Sequence, residues 1–252
     1  MNGGPLLTTN EPGPVAIVNP AGAAPFLLIG DHAGNAVPQA LGDLGVSSAD
    51  RARHIGWDIG VRGLGERLAP ALDAPFLHQH YSRLVIDCNR DSHRADAIPE
   101  KSDGTPIPCN LALSPADREA RVAAIHDPYQ LAIAAALRPA TVLVSLHSFT
   151  PCLADGEPRP WQVGILHDRG DTRFSDACLA ILRAEAGLTV GDNEPYRMDN
   201  TDHTVPRHAY PARRYVEFEV RQDLLADAAG QAEWAERLAR VLTEALAATP
   251  AL

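Results

Sequence analysis

TVLVSLHSF, at residues 141–149, is the clearest buried strand in this sequence of 252 residues. A short apolar run rich in β-branched residues is typical of a strand that is covered on both faces of a sheet. Two other short segments, PFLLIG at 25–30 and WQVGIL at 161–166, predict strands of the same sheet, and the alternation of RYVEFEV at 214–220 predicts a further one.

Helical patterns lie between these strands. Apolar residues recur near helical spacing over residues 59–72. Ser114 and Pro115 supply the cap and the first position of a helix that extends to about residue 137, with a bend at Pro128. Two further helices are predicted, at 174–187 and 230–248. Strands that alternate with helices predict an α/β fold, a three-layer sandwich around a central mixed sheet.

The remaining segments are read from composition and pattern. Residues 1–24, rich in Gly, Pro and Asn, are predicted to form a loose N-terminal arm. Residues 25–252 are predicted to form a single domain, because no linker divides them. Residues 76–87 mix alternation with an apolar end and predict another strand, whereas residues 91–113 lack periodicity and predict a long loop.

Net charge, hydropathy and cysteine content indicate which kinds of partner and which compartment this protein is expected to have. A formal net charge of −10 argues against a nucleic-acid partner, which requires a basic surface. No apolar run approaches the roughly 20 residues needed to span a bilayer, so no membrane partner is expected. The four cysteines form no CxxC motif and are typical of free thiols in a reducing compartment. The sequence therefore predicts a cytoplasmic protein that acts on a small molecule.

Potentially reactive side chains occur at the ends of three predicted strands. Asp31 and His32 follow the strand at 25–30, His147 lies near the end of the strand at 141–149, and Glu219 lies near the end of the strand at 214–220. Open α/β sheets bind ligands beyond the carboxyl ends of their strands. Two imidazoles and a carboxylate at one sheet edge predict a metal site there.

A second polar cluster lies in YSRLVIDCNR, at residues 81–90. If this segment is extended, Arg83, Asp87 and Asn89 lie on one face, and Arg90 leaves at its end. Buried charge requires partners, so an internal Arg–Asp pair is one interpretation. The alternative is that Asp87 orients one arginine and another remains available for an anionic substrate or an oxyanion.

Five motifs together resemble one known family. They are GDHAGNAVP at 30–38, HIGWDIG at 54–60, SRLVIDCNR at 82–90, LHS at 146–148 and VEFEVRQDL at 216–224. In this order, and over about residues 25–225, they resemble the N-formylglutamate amidohydrolase family. That family is similar in fold to zinc carboxypeptidases and aspartoacylase, so the resemblance implies a zinc-exopeptidase-like catalytic domain that cleaves an amide with metal-activated water.

The resemblance implies a metal site. His32 and His147 match the family's histidine ligands of Zn²⁺, and Asp58 in HIGWDIG matches an acidic position that implies the third ligand. Zinc carboxypeptidases place a glutamate three residues after the first histidine, where this chain has Asn35. Two alternatives therefore stay open. Asn35 is the third metal ligand, or Asp58 accepts a hydrogen bond from the N–H of a ligating imidazole and does not bind the metal itself. Such a donor set also accepts iron, cobalt or manganese.

The resemblance also implies the catalytic and binding residues. Glu219 matches the catalytic glutamate, although alternation places Glu217 on the same strand face, and Arg83 resembles the arginine that steadies the oxyanion. The substrate-binding residues implied are Asn89 and Arg90, which resemble a pair that grips a carboxylate, together with Arg207 and His208 in a substrate loop at 192–208.

These matches predict a zinc-dependent hydrolase of the amide of an N-formyl or N-acyl acidic amino acid, such as N-formyl-L-glutamate. Two alternatives remain at the level of sequence. One is a metal-dependent peptidase or amidase that acts on a peptidoglycan-type substrate. The other is a non-catalytic relative that binds an acidic ligand without a metal, which Asn35 would permit.

Overall fold

A mixed seven-stranded sheet forms the centre of the protein, whose computed structural model describes residues 5–154 and 156–250. These described residues form nine strands, which are β1 (Val15–Val18), β2 (Phe26–Gly30), β3 (Phe76–Gln79), β4 (Lys101–Ser102), β5 (Thr105–Pro106), β6 (Val142–Phe149), β7 (Val163–Leu166), β8 (Val190–Asp192) and β9 (Tyr215–Arg221). The order in the central sheet is β1-β3-β2-β6-β9-β7-β8, and β4 and β5 form a separate hairpin.

The strands that carry the polar residues run in one direction. β2 is parallel to β3 and to β6, and β6 is parallel to β9. β1 and β7 are antiparallel to their neighbours β3 and β9, and β8 is parallel to β7. The carboxyl ends of β2, β6 and β9 therefore meet at one sheet edge, and the predicted α/β fold with a central mixed sheet is confirmed.

Helices cover both faces of the sheet. They are α1 (Ser48–Arg51), α2 (Val61–Leu72), α3 (Pro115–Arg121), α4 (Asp127–Ala136), α5 (Arg173–Arg183), α6 (Thr204–Ala209) and α7 (Ala228–Ala248). A π-helical turn at Val122–His126 joins α3 to α4, so the predicted helix is continuous but distorted just before Pro128. Pro128 has no N–H to donate to the preceding turn, which accounts for the distortion. No helix in the described part of the chain is long and apolar enough to cross a membrane.

Two hydrophobic cores lie on the two faces. On one face, β2, β6 and β9 pack against α2, α5 and α7, with Val144, Phe218 and Leu238 fully buried. On the other face, Leu143 and Tyr215 pack with residues of α4 and the segment that follows β3. Side chains alternate along a strand, so this second face continues with Ser145 and His147 on β6 and with Glu217 and Glu219 on β9. This change from apolar to polar side chains places the floor of a polar cavity at the carboxyl edge.

Two predictions from the sequence are wrong. The N-terminal arm is not loose throughout, because Val15–Val18 form β1 and pair with β3. The predicted strand at 76–87 ends at Gln79, and the segment from 80 to 90 consists mainly of turns. There, Ser82 Oγ accepts from the Leu84 amide and Asp87 Oδ1 accepts from the Asn89 amide. Such local side-chain-to-backbone bonds compete with a strand ladder, so the four polar residues do not share a strand face.

Candidate active site

His32, Asp58 and His147 form a buried cluster at the carboxyl edge of the sheet, here called the His–Asp–His cluster. Each offers one ligand atom, and these atoms lie within 4.8 Å of one another. Asp58 Oδ2 lies 3.6 Å from His32 Nδ1 and 2.9 Å from His147 Nδ1. Asp58 is brought here by its loop, because its amide donates to the His32 carbonyl at 2.8 Å and its carboxylate accepts from the Ser148 amide.

The cluster fits a divalent metal ion. Ligand atoms about 2.0–2.1 Å from a tetrahedral ion lie about 3.3 Å from one another, between the two distances to Asp58 Oδ2. His32 Nδ1 is buried and has no hydrogen-bond partner among the described residues. Two histidine nitrogens and one carboxylate oxygen are one of the donor sets found in catalytic zinc sites, which keep a fourth position open.

The outward nitrogens of both histidines are held by polar side chains. His32 Nε2 lies 2.7 Å from Asp87 Oδ1. His147 Nε2 lies 3.0 Å from Ser145 Oγ and 3.5 Å from Asp31 Oδ2. Carboxylates behind metal-binding histidines fix the tautomer and ring orientation. The arrangement therefore directs Nδ1 of each ring toward the shared position.

Carboxylates also set the charge of the cluster. Burial lowers the pKa of His147, but hydrogen bonds to Asp31 and Asp58 outweigh it and raise that pKa well above its usual value. Burial and Arg83 lower the pKa of His32, and Asp87 and Asp58 more than compensate. The metal-free cluster therefore tends to hold protons that a cation would displace.

Asn35 lies outside the cluster. Its Nδ2 donates to the Arg51 carbonyl at 2.9 Å, and its Oδ1 has no partner among the described residues. Of the two residues considered from sequence for the third position, Asp58 lies with the histidines, whereas Asn35 lines a different cavity beside Trp57 and His78.

Two buried glutamates stand beside the cluster on β9. Glu219 is level with His147 on β6 and with Gly164 on β7, whereas Glu217 is level with Ser145 and Leu166. Each has an Oε2 without a partner in the described residues. Burial raises the pKa of Glu219 to about 8, a change that His147 opposes and Asp58 reinforces. Burial likewise raises the pKa of Glu217 well above its usual value.

Arg83 lies beside the cluster and is oriented by acidic residues. Its Nε and NH2 donate to Asp87 Oδ2 at 3.2 and 2.6 Å, and its NH1 lies 3.5 Å from Asp58 Oδ1. Asp87 thus bridges His32 and Arg83, which agrees with the hypothesis that Asp87 orients one arginine. The guanidinium remains partly exposed on the cavity side.

A cavity of about 330 Å³ opens above the cluster. Its lining residues include the three cluster residues, Arg83, both glutamates, Asn89 and Arg90, and also Tyr196, Arg197, Asp199, Thr201 and Asp202. The predicted substrate loop at 192–208 therefore does reach the cavity, through residues that the sequence did not single out.

Asn89 and Arg90 both line the cavity, but they differ in how many of their hydrogen-bonding groups already have partners in the protein. Asn89 Oδ1 accepts from the amides of His203 and Thr204 at 3.0 Å, and its Nδ2 donates to Asp202 Oδ1 at 3.3 Å. The side-chain amide of Asn89 thus holds residues 202–204 in place, which leaves it few hydrogen-bonding groups for a ligand. Arg90 NH1 donates to two carbonyls and lies 3.8 Å from Asp202 Oδ1. Arg90 therefore keeps most of its donors for an anion.

Arg207 and His208 are not brought to this cavity. Arg207 is exposed on α6. His208 Nε2 bonds Gln130 Oε1 at 2.8 Å, and burial lowers the pKa of His208 to about 4. His208 thus links α6 to α4. The resemblance suggested a substrate-binding pair, and the structure places the pair on the helix that follows the loop, away from the lining residues.

Comparison with known proteins agrees with this site. The sequence matches the family described as N-formylglutamate amidohydrolase over residues 24–226, which is most of the chain. The chain belongs to the N-formylglutamate amidohydrolase family. It is therefore an amidohydrolase, and the resemblance seen in the sequence is confirmed. No curated protein matches the chain.

Two solved structures are similar to this chain over more than nine tenths of its length. A gene product of Agrobacterium tumefaciens is 36% identical, with a TM-score of 0.91 over 96% of this chain and 98% of that one. An N-formylglutamate amidohydrolase from Ralstonia eutropha is 23% identical, with a TM-score of 0.66 over 93% of this chain and 97% of that one. The second likeness supports the fold.

Proposed function

We propose that this amidohydrolase is metal-dependent and cleaves the amide of an N-formyl or N-acyl acidic amino acid, such as N-formyl-L-glutamate. The observation that carries the proposal is the His–Asp–His cluster beside two unpaired buried glutamates, at the floor of a cavity lined with arginines. Zn²⁺ is the metal we propose, because two imidazoles and one carboxylate are its usual catalytic ligands.

His32, Asp58 and His147 would hold the ion. The ion would act as a Lewis acid on the amide carbonyl and would lower the pKa of bound water to about 7. Glu219 then accepts a proton from the attacking water and returns it to the leaving amine. Burial raises the pKa of Glu219 above its usual value, which makes its carboxylate a stronger base than that of an exposed glutamate. The position of Glu219 level with His147, opposite the small Gly164, supports Glu219 over Glu217 as this base.

Arg83 is proposed to stabilise the oxyanion that develops on the acyl oxygen. Its ion pair with Asp87 fixes the guanidinium before substrate arrives, and such preorganised donors contribute about 3–4 kcal/mol to a transition state. Loss of the Arg83 guanidinium would therefore reduce turnover more than it reduces substrate binding.

Arg90 is proposed to bind the α-carboxylate of the substrate. Its guanidinium is 23% exposed, and its nearest carboxylate oxygens, on Asp202 and Asp96, are 3.8 Å away. A planar guanidinium can bind a carboxylate through two parallel hydrogen bonds. The cavity volume favours an amino-acid-sized substrate over a polymer such as peptidoglycan.

The cellular setting and domain organisation are proposals as well. All four cysteines are free, and Cys88 and Cys178 are buried. Free thiols are typical of a reducing compartment, so we expect a cytoplasmic enzyme. We expect residues 25–252 to act as one catalytic domain.

The test is release of formate from N-formyl-L-glutamate by zinc-loaded protein. We expect Glu219→Gln to retain zinc and lose turnover by at least about 100-fold, and the matched Glu217→Gln to retain most of the activity. Loss of zinc in Glu219→Gln would make Glu219 a ligand. The reverse pattern between the two variants would assign the base to Glu217, and no formate release by the wild-type protein would refute the substrate.

A further inference from the structure

The loop of residues 193–203, here called the rim loop, is fixed at its start to the sheet. The Asn193 amide donates to the Ile165 carbonyl at 2.9 Å, and Asn193 Oδ1 accepts from the amides of His167 and Met198. The backbone of Glu194 lies against Gly164 of β7 and Gly191 of β8, where an added Cβ would collide with the Glu194 carbonyl. Two glycines therefore allow the rim loop to lie directly on two strands.

The rim loop is also fixed at its end. Asn89 bonds the amides of His203 and Thr204, and the Thr204 hydroxyl donates to Asp31 Oδ1 at 2.8 Å. Asp31 in turn lies behind His147 of the cluster. The end of the rim loop is thus tied to the same residues that orient the metal site.

Stacking holds the middle of the rim loop over the cavity. The Arg159 guanidinium lies over the Tyr196 ring, 4.8 Å from its centroid, and donates to the Tyr196 hydroxyl at 3.0 Å. Arg159 also donates to the Thr150 carbonyl, which follows β6. Arg197, the next residue, is therefore presented to the cavity by a loop that is fixed at three points.

The three arginines that line the cavity differ in their partners. Arg83 is paired with Asp87 at 2.6 Å, and Arg90 lies at 3.8 Å from two carboxylates. Arg197 is exposed at the rim of the cavity, and its guanidinium makes neither a hydrogen bond nor an ion pair with any residue that the structure describes. Its five donors are available to a ligand that enters the cavity.

We propose that Arg197 is a specificity-determining residue that binds the side-chain carboxylate of a dicarboxylic N-acyl amino acid. This inference rests on the proposed function, in which Arg90 takes the α-carboxylate and the amide lies at the His–Asp–His cluster. Two separate arginines then match two separate carboxylates.

The experiment compares two substrates of the same shape, N-formyl-L-glutamate and N-formyl-L-glutamine. We expect Arg197→Gln to lower kcat/KM for the glutamate substrate by about tenfold or more, mainly through KM, and to leave the glutamine substrate within about twofold. Arg90→Gln should lower kcat/KM for both substrates, because both carry the α-carboxylate. Arg240→Gln removes the same charge from α7 on the opposite face and should change neither.

The outcomes separate the inference from the proposed function. An unchanged preference in Arg197→Gln, or an equal loss on both substrates, would overturn the inference while formate release still supports the function. If the zinc-loaded wild-type protein releases formate from neither substrate, the proposed function fails and the inference fails with it.

Discussion

At the scale of single residues, Asp87 connects two parts of the site. One carboxylate oxygen contacts His32 Nε2 and the other contacts the Arg83 guanidinium. Burial raises the pKa of Asp87, but Arg83 and His32 outweigh it, and the pKa lies well below its usual range. Asp87 is therefore ionised at neutral pH and can orient the imidazole and the arginine at once.

We expect Asp87→Asn to weaken zinc binding by about 10- to 100-fold, because the amide is a poorer acceptor from His32 and no longer balances the charge of Arg83. Zinc affinity measured by competition with a chelator tests this. Asp96→Asn is the control, since Asp96 is about half exposed and lies outside the cluster. Wild-type zinc affinity in Asp87→Asn would contradict the orienting role.

The pKa shifts predict how zinc stabilisation depends on pH. In the metal-free protein the pKa values of His32, His147 and Glu219 are all raised, despite the opposing effect of burial on the two histidines. A group with a raised pKa in the folded state favours folding below that pKa and loses this effect as the pH rises through it. Zinc binds only when the two histidines are deprotonated, so its affinity rises with pH. Zinc therefore stabilises the folded protein most at the higher pH, where protonation of the cluster no longer does so.

We therefore expect zinc to raise the melting temperature more at about pH 8 than at about pH 6. Thermal unfolding with and without zinc at both pH values measures the shift. His147→Ala should show little shift at either pH. A shift that is equal at the two pH values, or smaller at the higher one, would contradict the proposed protonation of the metal-free cluster.

At the scale of elements, local sequence patterns are sufficient to predict most of the sheet. The apolar runs of β2 and β6 and the alternation in β9 predict strands, and the structure buries these strands on both faces. Apolar residues that recur near helical spacing predict α2, α5 and α7. The apolar residues LVI at 84–86 continue the pattern of a strand, but the segment after β3 is not one. Its course is decided by hydrogen bonds of Ser82 and Asp87 that a pattern of apolar residues does not reveal.

The rim loop gives a prediction at this scale. Gly164→Ala should displace the loop, because the added Cβ would collide with the Glu194 carbonyl. We expect a loss of about 1–3 kcal/mol in the free energy of unfolding and a higher KM. Gly13→Ala is the matched control, since no atom lies within 4 Å of its added Cβ. Denaturant unfolding and substrate kinetics measure both effects, and unaltered stability and KM in Gly164→Ala would contradict the close packing.

At the scale of the whole molecule, the site joins segments that lie far apart in the chain. The two histidines and Glu219 could be placed from sequence, because parallel strands bring their carboxyl ends to one edge. The choice between Asp58 and Asn35 could not be made, because both lie in loops whose courses depend on contacts with His32 and Arg51. Arg197 was missed for the same reason, since its position depends on how the rim loop packs on β7 and β8.

The two hydrophobic cores lie on either side of the sheet and are formed by apolar side chains. We therefore expect the protein to remain folded when the metal is removed with a chelator, so that activity can be measured as metal is returned. Far-ultraviolet circular dichroism before and after removal checks this. A loss of helical signal would show that the fold depends on the ion.

The most direct test is to titrate the metal-free protein with Zn²⁺ while measuring formate release from N-formyl-L-glutamate. Activity should rise in proportion to bound zinc and reach its maximum at one ion per chain, and His147→Ala should neither bind zinc tightly nor gain activity. Full activity in the metal-free protein, or in His147→Ala, would contradict a metal-dependent amidohydrolase centred on His32, Asp58 and His147.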